Sequence, residues 1–533
     1  MASPSSGNDR PGSHDEKLGT DSVDDFAVES DYETPRQDAT KAAGRGELRA
    51  ERRADRLMTA LLTEVDLFRT RDGEAYATVN MRAGTEHLPL EGSAFGHWLR
   101  RWAQGRGEPL LGKTEVEKIA INLASRAHGL PDAHDVAYRV ARVADRLYID
   151  LGDEARRVVE VVPAREEPTE RWKTIAGKDC PVRFVRPPTM RPLPEPVEGG
   201  TIDDFRRHFN VSTEGDFKLL MCWLLAAYHP TGPYVLGLVH GQQGSGKTTL
   251  CRLLVSLTDP ELADIRALPQ DPRDLAVAAQ HARVLAFDNA SVVPGPMSDC
   301  LCRLATGDSI VNRTLHSNKD QTVLKASRPV LISSIVELTR RPDLADRAVV
   351  IEARALEPTA RRTEEDLLSA FEAERPMLFG TICDLLSAAL GNYAAIEAPA
   401  GIRMADAARW AIAGLQFANW RAEEVGSIWR SNRHAANIAL LDGDVVANAL
   451  LDYLDQRPDG WAGRTSELLM QLTEQVTDGI RRSKVWPKTP EKLASDLTRL
   501  KPALESKGWL FSREKGAAGA RSICFRPLAN SQT

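Results

Sequence analysis

Residues Tyr234 to Leu250 read YVLGLVHGQQGSGKTTL. Val235 to Val239 is an apolar run of strand length. Gly241-Gln-Gln-Gly-Ser-Gly-Lys-Thr follows and fits G-x-x-x-x-G-K-[ST] without a gap, and Thr249-Leu-Cys-Arg-Leu-Leu continues as a helix. Strand, glycine loop and helix start, in that order, form the context that a phosphate-binding loop requires. Its glycines let backbone N–H groups turn inward around a polyphosphate, and the helix N-terminus adds partial positive charge. Gly241, Gln242, Gln243, Gly244, Ser245, Gly246, Lys247, Thr248 and Thr249 are therefore the expected nucleotide contacts. Lys247 is expected to meet the β- and γ-phosphates of ATP, and Thr248 to place its hydroxyl on Mg²⁺.

Around that stretch the chain of 533 residues is too long for a single core, and two or three domains are expected. Its formal net charge of −6 gives no global electrostatic case for nucleic acid, so any such contact must come from local basic patches. No apolar run is long enough to cross a bilayer, and a membrane partner is not expected. The N-terminus is polar and acidic, unlike a secretory signal. The seven cysteines are scattered with no C-x-x-C pair, which argues against a zinc site or disulfide framework and fits a reducing cytoplasm.

In chain order, residues 1–56 are rich in Ser, Gly, Asp and Glu and lack apolar periodicity, so a disordered tail is expected. Residues 57–185 read as an α/β accessory domain. It should contain a helix through Leu67, a strand at Tyr76–Met81, helices at Ser93–Trp102 and Thr114–Ala127, and strands between Val136 and Val162. A Thr114…Glu117 capping box is expected to open the second of these helices. Trp98, Arg100 and Trp102 are either a binding face or core. A proline-rich linker, 186–200, precedes the ATPase core at 201–360, and helical periodicity then marks a subdomain at 361–458. The last segment, 459–533, reads as helices followed by a basic hairpin, the signature of a winged helix. Lys492 and Arg499 on its helix, with Arg513, Lys515 and Arg521 on the wing, are candidate DNA contacts, the alternative being a protein-binding module. The expected class is thus α/β, built on a P-loop NTPase core.

Val284-Leu-Ala-Phe-Asp288-Asn289 is a second apolar strand ending in an acid, about forty residues beyond the loop. Asp288 is the expected Mg²⁺ partner. Asn289 follows it. Its amide cannot act as a base, but it can orient water. Ile310 to Leu324 carries a strand–turn–strand pattern around Ser317-Asn318.

Leu301 to His316, LCRLATGDSIVNRTLH, resembles the T-G-D stretch of superfamily 3-like, AAA+-related primase-helicase ATPases of phages, plasmids and other mobile elements. Arg328-Pro-Val-Leu-Ile-Ser-Ser-Ile resembles their sensor strand, and Arg341-Pro-Asp-Leu-Ala-Asp-Arg347 their arginine-bearing segment. The resemblance spans about Phe205 to Glu357. It implies an AAA+-like core, ATP and Mg²⁺ as cofactors, and DNA as partner. It also implies a homo-oligomeric ring, a hexamer, in which Arg347, or failing it Arg341, serves a neighbour's site. It places His316 and Lys319 at the tip of a DNA-gripping hairpin. Two departures stand out: Ser333 occupies the position of a sensor Asn, and Asn289 that of an activating Glu. No primase acids are evident upstream. The implied function is a DNA helicase-like ATPase in mobile-element replication, with slow hydrolysis. A nucleotide-switched initiator or loader and a defence or signalling ATPase are the alternatives.

Overall fold

The strand that leads into the glycine loop is β10, Leu236–His240, whose first four residues are buried. A computed structural model describes residues 53, 55–82, 84–164, 170–308, 310–313, 321–324, 326–335, 341–356, 363–515 and 521–528. Most of the expected N-terminal tail, and the hairpin tip with His316 and Lys319, lie outside the described residues. A first unit, Met1–Ala60, is described at 53 and 55–60, where it is helical. The second unit, Leu61–Thr533, carries the sheets.

β1 (Asp66–Arg69), β2 (Ala75–Met81) and β3 (Gly84–Pro89) form an antiparallel sheet. Residues 66–67, expected to end a helix, are strand because Phe68 buries against the Tyr76 ring at 5.3 Å while Arg69 pairs with Ala75. α1 (Ser93–Gln104) and α2 (Lys113–His128) pack on this sheet. The start of α2 differs from expectation. Its N-cap is Gly112, whose N–H donates to Glu115 Oε2 at 2.9 Å, two residues ahead of the expected Thr114…Glu117 box. β5 (Val140–Val143), β6 (Arg146–Asp150), β7 (Arg157–Val161) and β8 (Trp172–Ala176) form an antiparallel meander, following the short β4 (Val136–Ala137), which pairs in parallel with β9 (Arg183–Phe184).

The proline-rich stretch 186–200 is held along its length. Leu193 N–H donates to Leu151 O at 2.8 Å, Val197 N–H to Pro376 O at 3.0 Å, and Arg375 Nη2 to Pro192 O at 3.0 Å.

The core sheet joins β10 to β11 (Arg266–Ala267), β12 (Leu285–Asp288), β15 (Val330–Ser334) and β16 (Ala348–Glu352). All pairings are parallel, in the order β11-β12-β15-β10-β16. Parallel strands need crossovers, and helices supply them, which is why these strands read as near-continuous apolar runs. α3 (Glu214–Ala227) precedes β10, and its Trp223 is fully buried with Nε1 donating to Val330 O. α4 (Lys247–Thr258) follows β10, α5 (Pro272–His281) leads to β12, and α6 (Gly295–Thr306) follows it. β13 (Ile310–Arg313) and β14 (Gln321–Leu324) pair antiparallel between α6 and β15.

Beyond the one-turn α7 (Pro342–Ala345) and β16 come α8 (Glu364–Asn392), α9 (Ala405–Leu415), α10 (Ala422–Asp442) and α11 (Val445–Asp455). The helix expected across Met404–Glu424 is two, divided near Asn419, where the backbone turns left-handed at φ 60°. Asn432 on α10 covers the edge of β16. Its amide donates to Val350 O at 2.7 Å and its oxygen accepts from Val350 N–H at 2.9 Å.

The C-terminal run is β17 (Trp461–Arg464), α12 (Thr465–Gln475), α13 (Asp478–Arg482), α14 (Pro490–Ser506), β18 (Trp509–Lys515) and β19 (Arg521–Pro527). Its sheet order is β17-β19-β18, antiparallel throughout, so the expected two-stranded hairpin has a third strand. β17 is only four residues long, too short to signal itself in the pattern. α14 packs against α10 and touches α7, and a continuous apolar core runs from Val140 to Phe525.

Candidate nucleotide site

β10, β15 and β12 are neighbours and parallel, so their C-terminal ends sit side by side. Those ends carry the glycine loop, Ser333 and Asp288. Gly241 leaves β10 at φ 153°, and a Cβ there would lie 2.7 Å from Ala353 O. Only glycine permits that approach. Gly246 is the left-handed N-cap of α4, at φ 77°. The loop is anchored from outside by Asn210, whose amide donates to Ser245 O at 2.9 Å and to Arg354 O at 2.8 Å. Nothing in the sequence marks Asn210, because its partners lie 35 and 144 residues away.

Lys247, the first residue of α4, is buried. Its Nζ donates to Gly241 O at 2.9 Å and Gln242 O at 2.7 Å. Burial lowers its pKa, against the opposing pull of Asp288. The loop thus holds a desolvated ammonium against two of its own carbonyls, at the N-terminus of a helix, a position chemically suited to a polyphosphate. Thr248 Oγ1 donates to Asp288 Oδ1 at 3.0 Å and Oδ2 at 3.1 Å. A hydroxyl and a carboxylate in contact are hard oxygen donors of the kind that a magnesium ion takes with phosphates.

Ser333 Oγ donates to Asp288 Oδ1 and accepts from Asn289 N–H at 3.1 Å. Asn289 is exposed, with φ 53°. Lys247, Thr248, Asp288, Asn289 and Ser333 therefore converge. Gln242, Gln243 and Gly244 form the exposed outer rim of the loop, Ser245 is buried, and Thr249 continues the first turn of α4.

Arg347 lies apart from them. It precedes β16 at the N-terminal ends of the strands, its carbonyl accepting from Leu236 N–H at 2.9 Å. Five strand residues separate that end from the loop, roughly 16 Å. Its Nη1 donates to the Asp343 carbonyl at 2.8 Å, while Asp346 pairs with Arg433 at 2.8 Å. Arg341 pairs with Asp299 at 2.8 Å and Asp343 at 3.3 Å.

In the C-terminal run Lys492 pairs with Asp496 at 2.7 Å and Arg499 with Asp444 at 2.7 Å, while Arg513 donates to Ala494 O. The side chains of Lys515 and Arg521 lie outside the described residues. Trp98 is buried and stacks on Trp102 at 6.1 Å; Trp102 in turn carries the Arg106 guanidinium at 4.1 Å and donates to Glu64 Oε2 at 3.0 Å. Arg100 Nε donates to Leu111 O at 3.2 Å. This cluster is taken up by packing within its own segment.

Two family models match the chain. Residues 202–424 match the actinomycete integrative conjugative element replication protein, and residues 446–533 match the C-terminal domain of the same RepA type. Together they span more than half of the chain. The chain belongs with the replication proteins of mobile elements. Among solved structures it is similar to the A-form apo structure of the NrS-1 C-terminal region, at 13% identity over 88% of this chain and 98% of that one, with a TM-score of 0.38. A second apo structure of that region matches at 13% identity, with the same coverage and a TM-score of 0.36. No curated protein matches. No described helix of this replication protein is long and apolar enough to cross a membrane.

Proposed function

We propose that this replication protein is an ATP-dependent, DNA helicase-like ATPase. The observation that carries the reading is the convergence of Lys247, Thr248 and Asp288 at the C-terminal end of a parallel sheet with β10 between β15 and β16. A phosphate-binding loop at that position, with a metal-side acid two strands away, is the arrangement of a P-loop NTPase. Thr248 and Asp288 would hold Mg²⁺, which supplies charge neutralisation at the β- and γ-phosphates. Lys247 binds those phosphates, and the loop amides orient them.

Arg347 fits a role on a neighbour's nucleotide. It is too far from the loop of its own chain to serve there, and a ring, a hexamer in the implied family, would bring it to the next copy. The order β17-α12-α13-α14-β18-β19, with β19 central, fits a winged helix. In this reading its wing, bearing Arg513, Lys515 and Arg521, meets DNA phosphates together with Lys492 and Arg499 on α14, whose surface pairs with Asp496 and Asp444 are weak enough to yield to phosphate. The hairpin of β13 and β14 carries His316 and Lys319 as further DNA contacts.

A second reading, a slow nucleotide-driven switch that loads DNA without translocating, is favoured by Asn289, since an amide cannot take a proton from water. Calorimetric titration of Lys247→Ala with ATP tests the shared core of both. Loss of measurable affinity in a folded variant is expected, and unchanged affinity refutes the nucleotide site. ATP turnover with and without single-stranded DNA then separates motor from switch.

A further inference from the structure

The hydroxyl of Ser333 stands at the position where related ATPases are expected to sense the terminal phosphate, yet its geometry does not suit that task. It is 1% exposed. Its single proton is committed to Asp288 Oδ1, and it accepts the Asn289 N–H. The same strand end grips the next residue as well. Ser333 O accepts from Ala290 N–H at 3.0 Å, and Ser334 Oγ donates to Ala290 O at 2.6 Å. Residues 288–290 are therefore stapled to the end of β15. The residue at the centre of the staple, Asn289, adopts a left-handed backbone (φ 53°), which Asn tolerates better than other side chains with a Cβ. It is also the exposed one. Burial and hydrogen bonding thus divide the two polar groups. The hydroxyl faces into the protein, and the amide, with two donors and one acceptor, stands at the open end of the sheet.

We infer that Ser333 is a positioning residue, which fixes the Asp288 carboxylate and the Asn289 backbone, and that Asn289 is the group that reads the terminal phosphate of a nucleoside triphosphate or its attacking water. This inference rests on the nucleotide reading above. It withdraws from Ser333 the sensing role that strand order alone would give it, and leaves that role to Asn289. A partner that orients a metal-side carboxylate acts on metal affinity. A donor aimed at the terminal phosphate acts on the distinction between triphosphate and diphosphate.

The test is equilibrium titration of the full chain with ATP and ADP across a range of Mg²⁺ concentrations, alongside steady-state turnover, for Ser333→Ala, Ser333→Thr and Asn289→Ala. Ser333→Ala is expected to raise the Mg²⁺ needed for half-saturation about tenfold with both nucleotides. The ratio of ATP to ADP affinity should stay that of the wild type, and Ser333→Thr, which keeps the hydroxyl, should restore the metal dependence. Asn289→Ala is expected to leave the Mg²⁺ dependence of ADP binding unchanged, to abolish the preference for ATP so that KM for ATP rises in step with the lost affinity, and to lower kcat about a hundredfold. The opposite pattern overturns the inference: Ser333→Ala erasing the ATP preference at unchanged metal dependence, with Asn289→Ala silent. A wild-type chain that binds neither nucleotide instead refutes the nucleotide reading itself.

Discussion

Replacing Arg139 tests whether the segment before the core holds the nucleotide site in shape. The Arg139 guanidinium is fully buried, and Asp259, its partner at 2.9 Å, is 3% exposed. Arg139 also donates to the carbonyls of Asp150 at 3.1 Å and Arg191 at 2.8 Å. The other oxygen of Asp259 accepts from Arg283 N–H at 2.7 Å and Val284 N–H at 3.2 Å. Asp259 is the C-cap of α4, and those two amides directly precede β12. One carboxylate therefore ties the far end of the helix that begins with Lys247 to the far end of the strand that finishes with Asp288. Arg139→Met keeps the apolar stem but leaves a buried carboxylate without its counter-charge, a change worth about 3–5 kcal/mol. The two stranded carbonyls add to the cost, and relaxation offsets part of it, so about 4 kcal/mol is expected. Asp259→Asn, which keeps an acceptor for the two amides, should cost about 2–3 kcal/mol by stranding the guanidinium. Because both variants break one interaction, the double variant should fall short of their sum by about 2 kcal/mol. Urea unfolding at constant slope, followed by circular dichroism, measures all three. Strict additivity, or an Arg139→Met cost below about 1 kcal/mol, would refute the claim that this pair organises the region.

Three further outcomes are expected. Asn432→Ala strands the N–H and C=O of Val350 at the edge of the core sheet and should lower stability by about 2 kcal/mol in the same assay. Burial, reinforced by Asp259 and opposed by Arg266, pushes the Glu261 carboxyl up to about 7. The folded state then holds the proton more tightly than the unfolded one, so this contribution is present below pH of about 4.5 and lost as pH rises through 7. Glu261→Gln should remove that slope, and a melting-temperature difference between variant and wild type that stays constant from about pH 5 to 8 would contradict it. Lys319→Ala with His316→Ala should leave basal ATP turnover intact while reducing its stimulation by single-stranded DNA, and undiminished unwinding would take the hairpin out of the mechanism.

Much of this protein is legible in the sequence because its signals are local. The loop from Gly241 to Thr248 declares itself by spacing, although the backbone that demands glycine at 241 is that of Ala353, far along the chain. The apolar runs of β10, β12 and β15 announce a sheet buried on both faces, and Thr363, Asp444 and Thr489 mark helix starts because a cap acts within three residues. What the sequence could not disclose depends on partners distant in the chain. Leu67 reads as helix until Phe68 finds Tyr76. Three polar residues, Asn210, Asn432 and Arg139, look like ordinary surface groups until the fold buries or aims them. Lys492 and Arg499 read as isolated charges until Asp496 and Asp444 are seen beside them. The pairing of Ser333 with Asp288 is equally hidden, because two strand ends 45 residues apart become neighbours only when the parallel sheet assembles. Local sequence fixes backbone conformation one turn at a time, whereas the direction of a side chain, and hence its chemistry, is decided by which element the tertiary structure sets against it.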